Sequence, residues 1–333
     1  MNPLDGFVVD PATLGFVGEG LQRPECILAE RDGTLWVADG RGGITRIGPD
    51  GAQSLILQGA ANTASGFHDR LVAAQGSLPN GLCLEADGSF LIANWGTERL
   101  ERMTRDGRTT VLLDRIEGQP LGKVNFVARD REGRLWMTVT TRMQPWTDHV
   151  RTKSRDGYIA LIDARGARIV ADGLCGTNEL RFDPSGRWLY VAETTARHVT
   201  RFRVEGDVLT GREIYGPSNL GGFCDGIAFD AHGNLWTTLV MADRLVAITP
   251  RGDLRVILDL GGDPAALAAL DAAWEAGTLT PEVMQATGGT LCRWMASVTF
   301  GGPDLRTVYL GSLQGSRIPF FRAPIAGLPL LGW

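Results

Sequence analysis

One pattern recurs six times along this chain, and it restricts the possible folds more than any other feature. A polar residue opens an apolar stretch, and about ten residues later a large apolar pair follows a turn rich in Asp and Gly. The copies begin at Glu25, Asn80, Asn125, Asn178, Asp225 and Ser297, and their second halves read Leu35-Trp36, Phe90-Leu91, Leu135-Trp136, Trp188-Leu189-Tyr190, Leu235-Trp236 and Val308-Tyr309. Each copy has the form of a β-hairpin, with a tight turn in which Gly takes a positive φ. Most are followed by a third short alternating strand, such as Ile44-Thr45-Arg46-Ile47 or Leu245-Val246-Ala247-Ile248, and then by a fourth, such as Ser54-Leu55-Ile56-Leu57. Four antiparallel strands repeating every ~50 residues make a propeller blade. The expected fold is therefore all-β, a six-bladed β-propeller occupying 1–333, with the segment before the first copy completing the last blade. A β-solenoid would need much shorter coils and no such hairpins.

The pattern breaks between the fifth and sixth hairpins, at about 262–294. Asp263-Pro264 reads as an N-cap and first helical residue, the run Ala265 to Ala276 is rich in Ala, Leu and Glu, and Gly277 ends it. A second short helix is expected from Thr280-Pro281-Glu282. The sequence does not choose between a lid, a dimer surface and a packed flank for this insertion.

Composition excludes several partners. The 333 residues carry a net charge of −5, with 21% charged side chains interspersed and no basic stripe, so nucleic acid is not an expected partner. The first residues lack a signal-peptide pattern and no apolar run approaches the ~18 residues of a membrane span, giving a cytoplasmic expectation with no membrane partner. Five widely spaced cysteines with no C-x-x-C pair indicate neither a disulfide framework nor a zinc site, and read as small buried hydrophobes.

The chemistry comes from overlaying the repeats. The first strand of a propeller blade lines the central channel, so Glu25, Asn80, Asn125, Asn178, Asp225 and Ser297 are expected to converge near the axis. None of these six positions holds Lys or Arg. A buried carboxylate must be paired, protonated or bound to a cation. Two acids with amide oxygens form a hard oxygen cage, suited to Ca²⁺, Mg²⁺ or Mn²⁺ more than to a soft metal. The same set also reads as a water-filled polar channel whose Asn and Asp cap turns.

Four stretches carry a likeness to a known family: Pro24-Glu25 before the first hairpin, Asn125 in the third blade, Thr177 to Pro184 in the fourth, and Cys224 to Asp230 in the fifth. In this order and spacing the chain resembles, over nearly its whole length, the senescence-marker-protein/gluconolactonase/luciferin-regenerating-enzyme-like family. The resemblance implies lactone hydrolysis with one divalent metal ion, Ca²⁺ first and Mn²⁺, Mg²⁺, Zn²⁺ or Fe²⁺ as alternatives, held by Glu25, Asn178 and Asp225. It also implies that Asn125 contacts the substrate or completes the coordination. Asp225 is the candidate base for the attacking water, with Asn125 or Lys123 helping at the oxyanion. No G-x-S-x-G elbow is present, and His68, His149, His198 and His232 are expected in loops or hairpin turns without a triad partner. His68 is the one of the four to watch.

Departures from the family bear on the substrate. Lys123 stands where sugar-lactonase relatives tend to carry Arg, and the run Arg142 to Trp146 replaces acidic residues that grip sugar hydroxyls. Asn80, Lys123, Asn125, Arg142 and Trp146 are the candidate substrate contacts, and Trp95, Trp146, Phe67, Phe223 and Trp294 a candidate apolar wall. The expected substrate is a small lactone, either a sugar-acid lactone or a less hydroxylated, alkyl- or aryl-substituted one. Alternatives are hydrolysis of a phosphotriester or phosphorofluoridate at the same metal, and a non-enzymatic propeller that binds a metal or a protein. The sequence does not fix the oligomeric state.

Overall fold

A computed structural model of the protein describes residues 2–63 and 76–329. Six four-stranded antiparallel sheets follow one another along the chain. The innermost strands are Ile27–Ala29, Pro79–Leu84, Val124–Arg129, Thr177–Phe182, Phe223–Phe229 and Met295–Gly301. In the first five blades the four strands are consecutive in sequence; in the sixth, the outermost strand is Gly15–Val17, paired antiparallel with Ile318–Arg322. The N-terminal segment thus closes the ring, as the repeat count required. The molecule is a six-bladed β-propeller.

Local sequence explains the blades. Five of the first hairpins turn through a glycine at positive φ, among them Gly33 at 91°; in the sixth, Leu305 takes that role at 54°. Between blades the core is welded by aromatic pairs: Trp36 meets Phe90 at 4.9 Å between ring centroids, Trp136 meets Phe182 at 5.5 Å, and Trp236 meets Phe300 at 5.2 Å. These contacts bury large apolar area at three alternate interfaces between blades, where burial contributes roughly 25 cal/mol per Å².

The insertion contains the two expected helices. Pro264–Ala276 (α2) is capped by the Asp263 side chain and ends at Gly277 in the left-handed region; Pro281–Gln285 (α3) is capped by Thr280. A third, unforeseen helix, Thr147–Thr152 (α1), lies between the second and third strands of blade three. Among the described residues no helix is long and apolar enough to cross a membrane. Four of the cysteines are buried, Cys83 is half-buried, and all are free.

Glu193 ends the second strand of blade four with no exposure. Burial pushes its carboxyl up, but His198, Thr200, the Cys175 amide and the Arg212 charge outweigh that and hold it near 2, against an ordinary 4.5. A depressed carboxyl contributes stability that is complete above its unfolded value and is lost as pH falls through the folded one. Unfolding is therefore expected to become easier from pH 4.5 down to about 2, by on the order of 3 kcal/mol from this group. Denaturant titrations across that range should show an acid limb that Glu193→Gln flattens.

Candidate metal centre and its pocket

The first strands carry their functional residues on irregularities. Register shifts fall between Pro79 and Leu82, Val124 and Phe126, Thr177 and Leu180, Cys224 and Ile227, and Met295 and Val298. Five of the six ring positions thus sit in a bulge, the device that re-aims a side chain out of the pleat. Threonines of the second strands pick up displaced amides: Thr138 Oγ1 accepts from Phe126 N at 3.1 Å and Thr238 Oγ1 from Gly226 N at 3.0 Å. The residue after Asp225 must be glycine, since a Cβ on Gly226 would lie 2.5 Å from the Ser297 backbone of the next blade.

Glu25, Asn80, Asn125, Asn178 and Asp225 line one cavity of about 80 Å³. All five are buried. Ser297 is not in its lining; its hydroxyl donates to the Glu25 carbonyl and ties blade six to blade one. Asn80 is already committed, its Oδ1 accepting from Arg23 and its Nδ2 donating to Asn125 O at 3.0 Å. The remaining four side chains each present a buried oxygen with no hydrogen-bond partner: Glu25 Oε2, Asn125 Oδ1, Asn178 Oδ1 and Asp225 Oδ1. Asn178 is oriented by its Nδ2, which donates to Thr194 Oγ1 at 3.0 Å.

The electrostatics agree. Burial first, and then the Glu25 and Glu179 charges, push the Asp225 carboxyl well above the carboxylate range; burial pushes Glu25 up to about 8. Both shifts mean that two carboxylates are poorly accommodated here without positive charge. Two carboxylates and two amides, with all free donors oxygen, fit a hard divalent cation. Among the described residues no group of three or more His, Cys, Asp and Glu side chains is gathered for a metal, so amides would have to complete this set.

One cation was missed by the sequence reasoning. Arg23 lines the same cavity, donating through Nη1 to Pro79 O at 2.9 Å and through Nη2 to Asn80, and its charge opposes the upward shifts of Glu25 and Asp225. The ring positions themselves hold no base, but the site does. Glu179 is a further buried acid, paired with Arg181 at 2.9 Å.

The pocket above the oxygens is apolar. Trp95, Trp146, Phe223 and Trp294 line it, as expected, joined by Val150, Val240, Met241, Met284 and Leu313. Trp95 and Trp146 meet edge to face at 5.4 Å. Phe67 and His68 lie outside the described residues. The insertion contributes to this wall: α3 supplies Met284, while Trp274 of α2 donates to Thr195 O at 3.1 Å, and Arg197 stacks between Trp274 and Phe223 at 4.0 and 4.2 Å.

Lys123 and Arg142 are not among the residues lining the cavity. Lys123 Nζ is 2.9 Å from Glu98 and donates to Trp95 O, so it backs the tryptophan wall; the Arg142 guanidinium stacks on Tyr158 at 4.6 Å. His149 departs from the expectation of a loop or turn histidine without a triad partner. It lies within α1, fully buried, lines the cavity and is bonded through both ring nitrogens. A larger cavity of about 920 Å³ opens among the first-hairpin turns, and none of the six ring residues lines it.

The family model for the SMP-30/gluconolactonase/LRE-like region matches residues 104–270, half of the chain. The chain belongs to this family. A 6-deoxy-6-sulfogluconolactonase of Pseudomonas putida is 28% identical over 216 residues, 62% of this chain and 60% of that protein. The match thus spans less than two thirds of the curated relative. Among solved structures, a gluconolactonase from Xanthomonas campestris aligns with TM-score 0.67 at 17% identity, covering 97% of this chain and 94% of that one. A calcium-binding regucalcin from Agrobacterium tumefaciens aligns with TM-score 0.66 at 14% identity, covering 95% and 96%. At such identities the two structures share the fold with this chain and show nothing beyond it.

Proposed function

We propose that this protein is a metal-dependent lactonase for small lactones with an apolar substituent. The observation that carries the reading is the set of four buried, unpartnered oxygens of Glu25, Asn125, Asn178 and Asp225 at the floor of an apolar cavity, in a chain whose family includes gluconolactonases.

Glu25, Asn178 and Asp225 would hold the divalent ion, with Asn125 either completing the set or contacting substrate. When bound, such an ion supplies Lewis-acid polarisation of an ester carbonyl. Asp225 takes the proton of the attacking water, the role open to a carboxylate with one oxygen free. Arg23 fixes Asn80 and lowers the net negative charge facing the substrate. Trp95, Trp146, Phe223 and Trp294 exclude bulk water and bind the apolar part of the lactone. Lys123 supports the Trp95 wall from behind. The hard donor set favours Ca²⁺, Mg²⁺ or Mn²⁺.

The test is acid release from a lactone panel by purified protein, after chelation and after each ion is restored. Activity should vanish with chelator and return with one of these ions. Each additional methylene buried in the pocket should raise kcat/KM by roughly fourfold, from about 0.8 kcal/mol per CH₂. Faster turnover of polyhydroxy sugar lactones than of alkyl lactones would overturn the substrate assignment. Hydrolysis unaffected by metal removal would overturn the metal assignment.

A further inference from the structure

Opening a lactone creates an alkoxide, and an alkoxide of an aliphatic alcohol leaves poorly unless it is protonated as the ring bond breaks. Resting on the lactonase reading above, the question is which group in the cavity supplies that proton. Glu25 and Asp225 serve the ion and the attacking water in this scheme, and the cavity wall offers a separate donor.

His149 and Thr195 both line the cavity, and His149 Nε2 stands 3.0 Å from Thr195 Oγ1. On its other side, His149 Nδ1 is 2.7 Å from Ser154 Oγ, whose hydroxyl donates to Asp156 Oδ1 at 2.7 Å. Because the serine proton is spent on Asp156, its oxygen must accept from Nδ1–H, which assigns the tautomer from the network. Asp156 itself accepts from Thr141 Oγ1 at 2.8 Å and from Arg142 N at 2.7 Å, and sits 3.5 Å from Nδ1. This is a carboxylate placed to steady an imidazolium. The backbone is cleared for the contact as well: a Cβ on Gly176 would lie 2.8 Å from both His149 Nε2 and Thr195 Oγ1. When the imidazole carries its second proton, Nε2–H donates to Thr195 Oγ1 and the threonine's own proton is free to point into the cavity.

We infer that Asp156, Ser154, His149 and Thr195 form a proton relay that delivers the leaving-group proton in lactone opening. The ring C–O bond breaks, the departing oxygen takes the Thr195 proton, and Thr195 takes the Nε2 proton, leaving neutral imidazole. The proton that Asp225 took from water passes to solvent and His149 regains one from solvent, so each cycle consumes one lactone and one water. Thr195 touches the reacting oxygen; His149 and Asp156 act through it as positioning and proton-supplying groups.

The test uses the leaving group, because a structural defect would not distinguish one alcohol from another. Full-length metal-loaded protein is assayed on a δ-alkyl lactone, which opens to an aliphatic alkoxide, and on dihydrocoumarin, which opens to a phenoxide that needs no acid. His149→Gln should lower kcat on the alkyl lactone by about a hundredfold, within the usual range for general acid catalysis, and on dihydrocoumarin by less than about fivefold. Thr195→Val should reproduce this split and Thr195→Ser, which keeps the hydroxyl, should remove it. Calorimetric metal titration of each variant reports whether the oxygen cage is still assembled. Equal losses on both substrates, or no loss on either, would overturn the relay while leaving the lactonase reading in place. A wild-type protein that opens neither lactone would overturn the lactonase reading, and the relay with it.

Discussion

Asp225→Asn is expected to abolish lactone hydrolysis by on the order of a thousandfold and, in the same protein after chelation, to raise thermal stability. The first effect follows from removing a ligand and the base at once, since Lewis-acid stabilisation of the developing charge is worth several kcal/mol and each 1.36 kcal/mol is tenfold in rate. The second follows from the surroundings of the side chain. Asp225 is 4% exposed and its Oδ1 has no partner; burial and the neighbouring Glu25 and Glu179 all disfavour its charge. Replacing a buried, poorly compensated charge by a neutral isostere is commonly neutral or stabilising, here by about 1–2 kcal/mol. Thermal melts of chelated wild type and variant, with and without added Ca²⁺ or Mn²⁺, measure it. The wild type should gain stability on metal addition and the variant should gain little. A variant that melts lower than chelated wild type would mean that Asp225 is satisfied by protein groups alone, and the metal assignment would fail.

The same four oxygens show how far the sequence could be read. The repeat located Glu25, Asn125, Asn178 and Asp225 because a propeller places equivalent positions around one axis, so alignment in sequence becomes proximity in space. What alignment could not supply was direction. Arg23 and Lys123 both lie two residues before a ring position, a spacing that shares a face in a regular strand. Arg23 enters the cavity from a backbone at φ 50°, whereas Lys123 turns toward Glu98 and the carbonyl of Trp95 across the shift at Asn125. A one-residue irregularity reverses the face, and no periodicity announces it. His149 was hidden for another reason. Its partners Ser154, Asp156 and Thr195 come from two blades, and the six residues of α1 are too short for a helical pattern to emerge. The insertion helices, by contrast, carry complete capping signals at Asp263, Thr280 and Gly277, and they lie where those signals put them.

A further repeat at the opposite end of the strands gives the largest expected effect on stability. An acid stands six residues before a tryptophan in three alternate blades, and each pair is bonded: Trp36 Nε1 to Glu30 at 2.7 Å, Trp136 Nε1 to Asp130 at 2.7 Å, and Trp236 Nε1 to Asp230 at 2.9 Å. Asp230 is the most heavily used. It accepts from the amides of His232 and Asn234 at 2.9 Å, from Asn234 Nδ2 at 2.7 Å and from Trp236, and it has no exposure. Asn234 in turn accepts from Asn2 at 2.6 Å, while Asp230 bridges Gly327 and Leu328 N donates to Phe229 O. Both ends of the described chain therefore close onto this hairpin. Asp230→Ala leaves three buried hydrogens with no acceptor, those of Asn234 N, of one arm of Asn234 Nδ2 and of Trp236 Nε1, while the amide of exposed His232 turns to water; at roughly 1.3 kcal/mol each the loss is about 4 kcal/mol. Asp230→Asn keeps an acceptor oxygen and should lose about half as much. Because this hairpin turn lies at the far end of the first strand from Asp225, activity per folded molecule should stay within about twofold of wild type in both variants. Denaturant unfolding paired with active-site titration separates the two quantities: a loss of activity per folded molecule that matched the loss of stability would mean that closing the ring also sets the geometry of the oxygen cage.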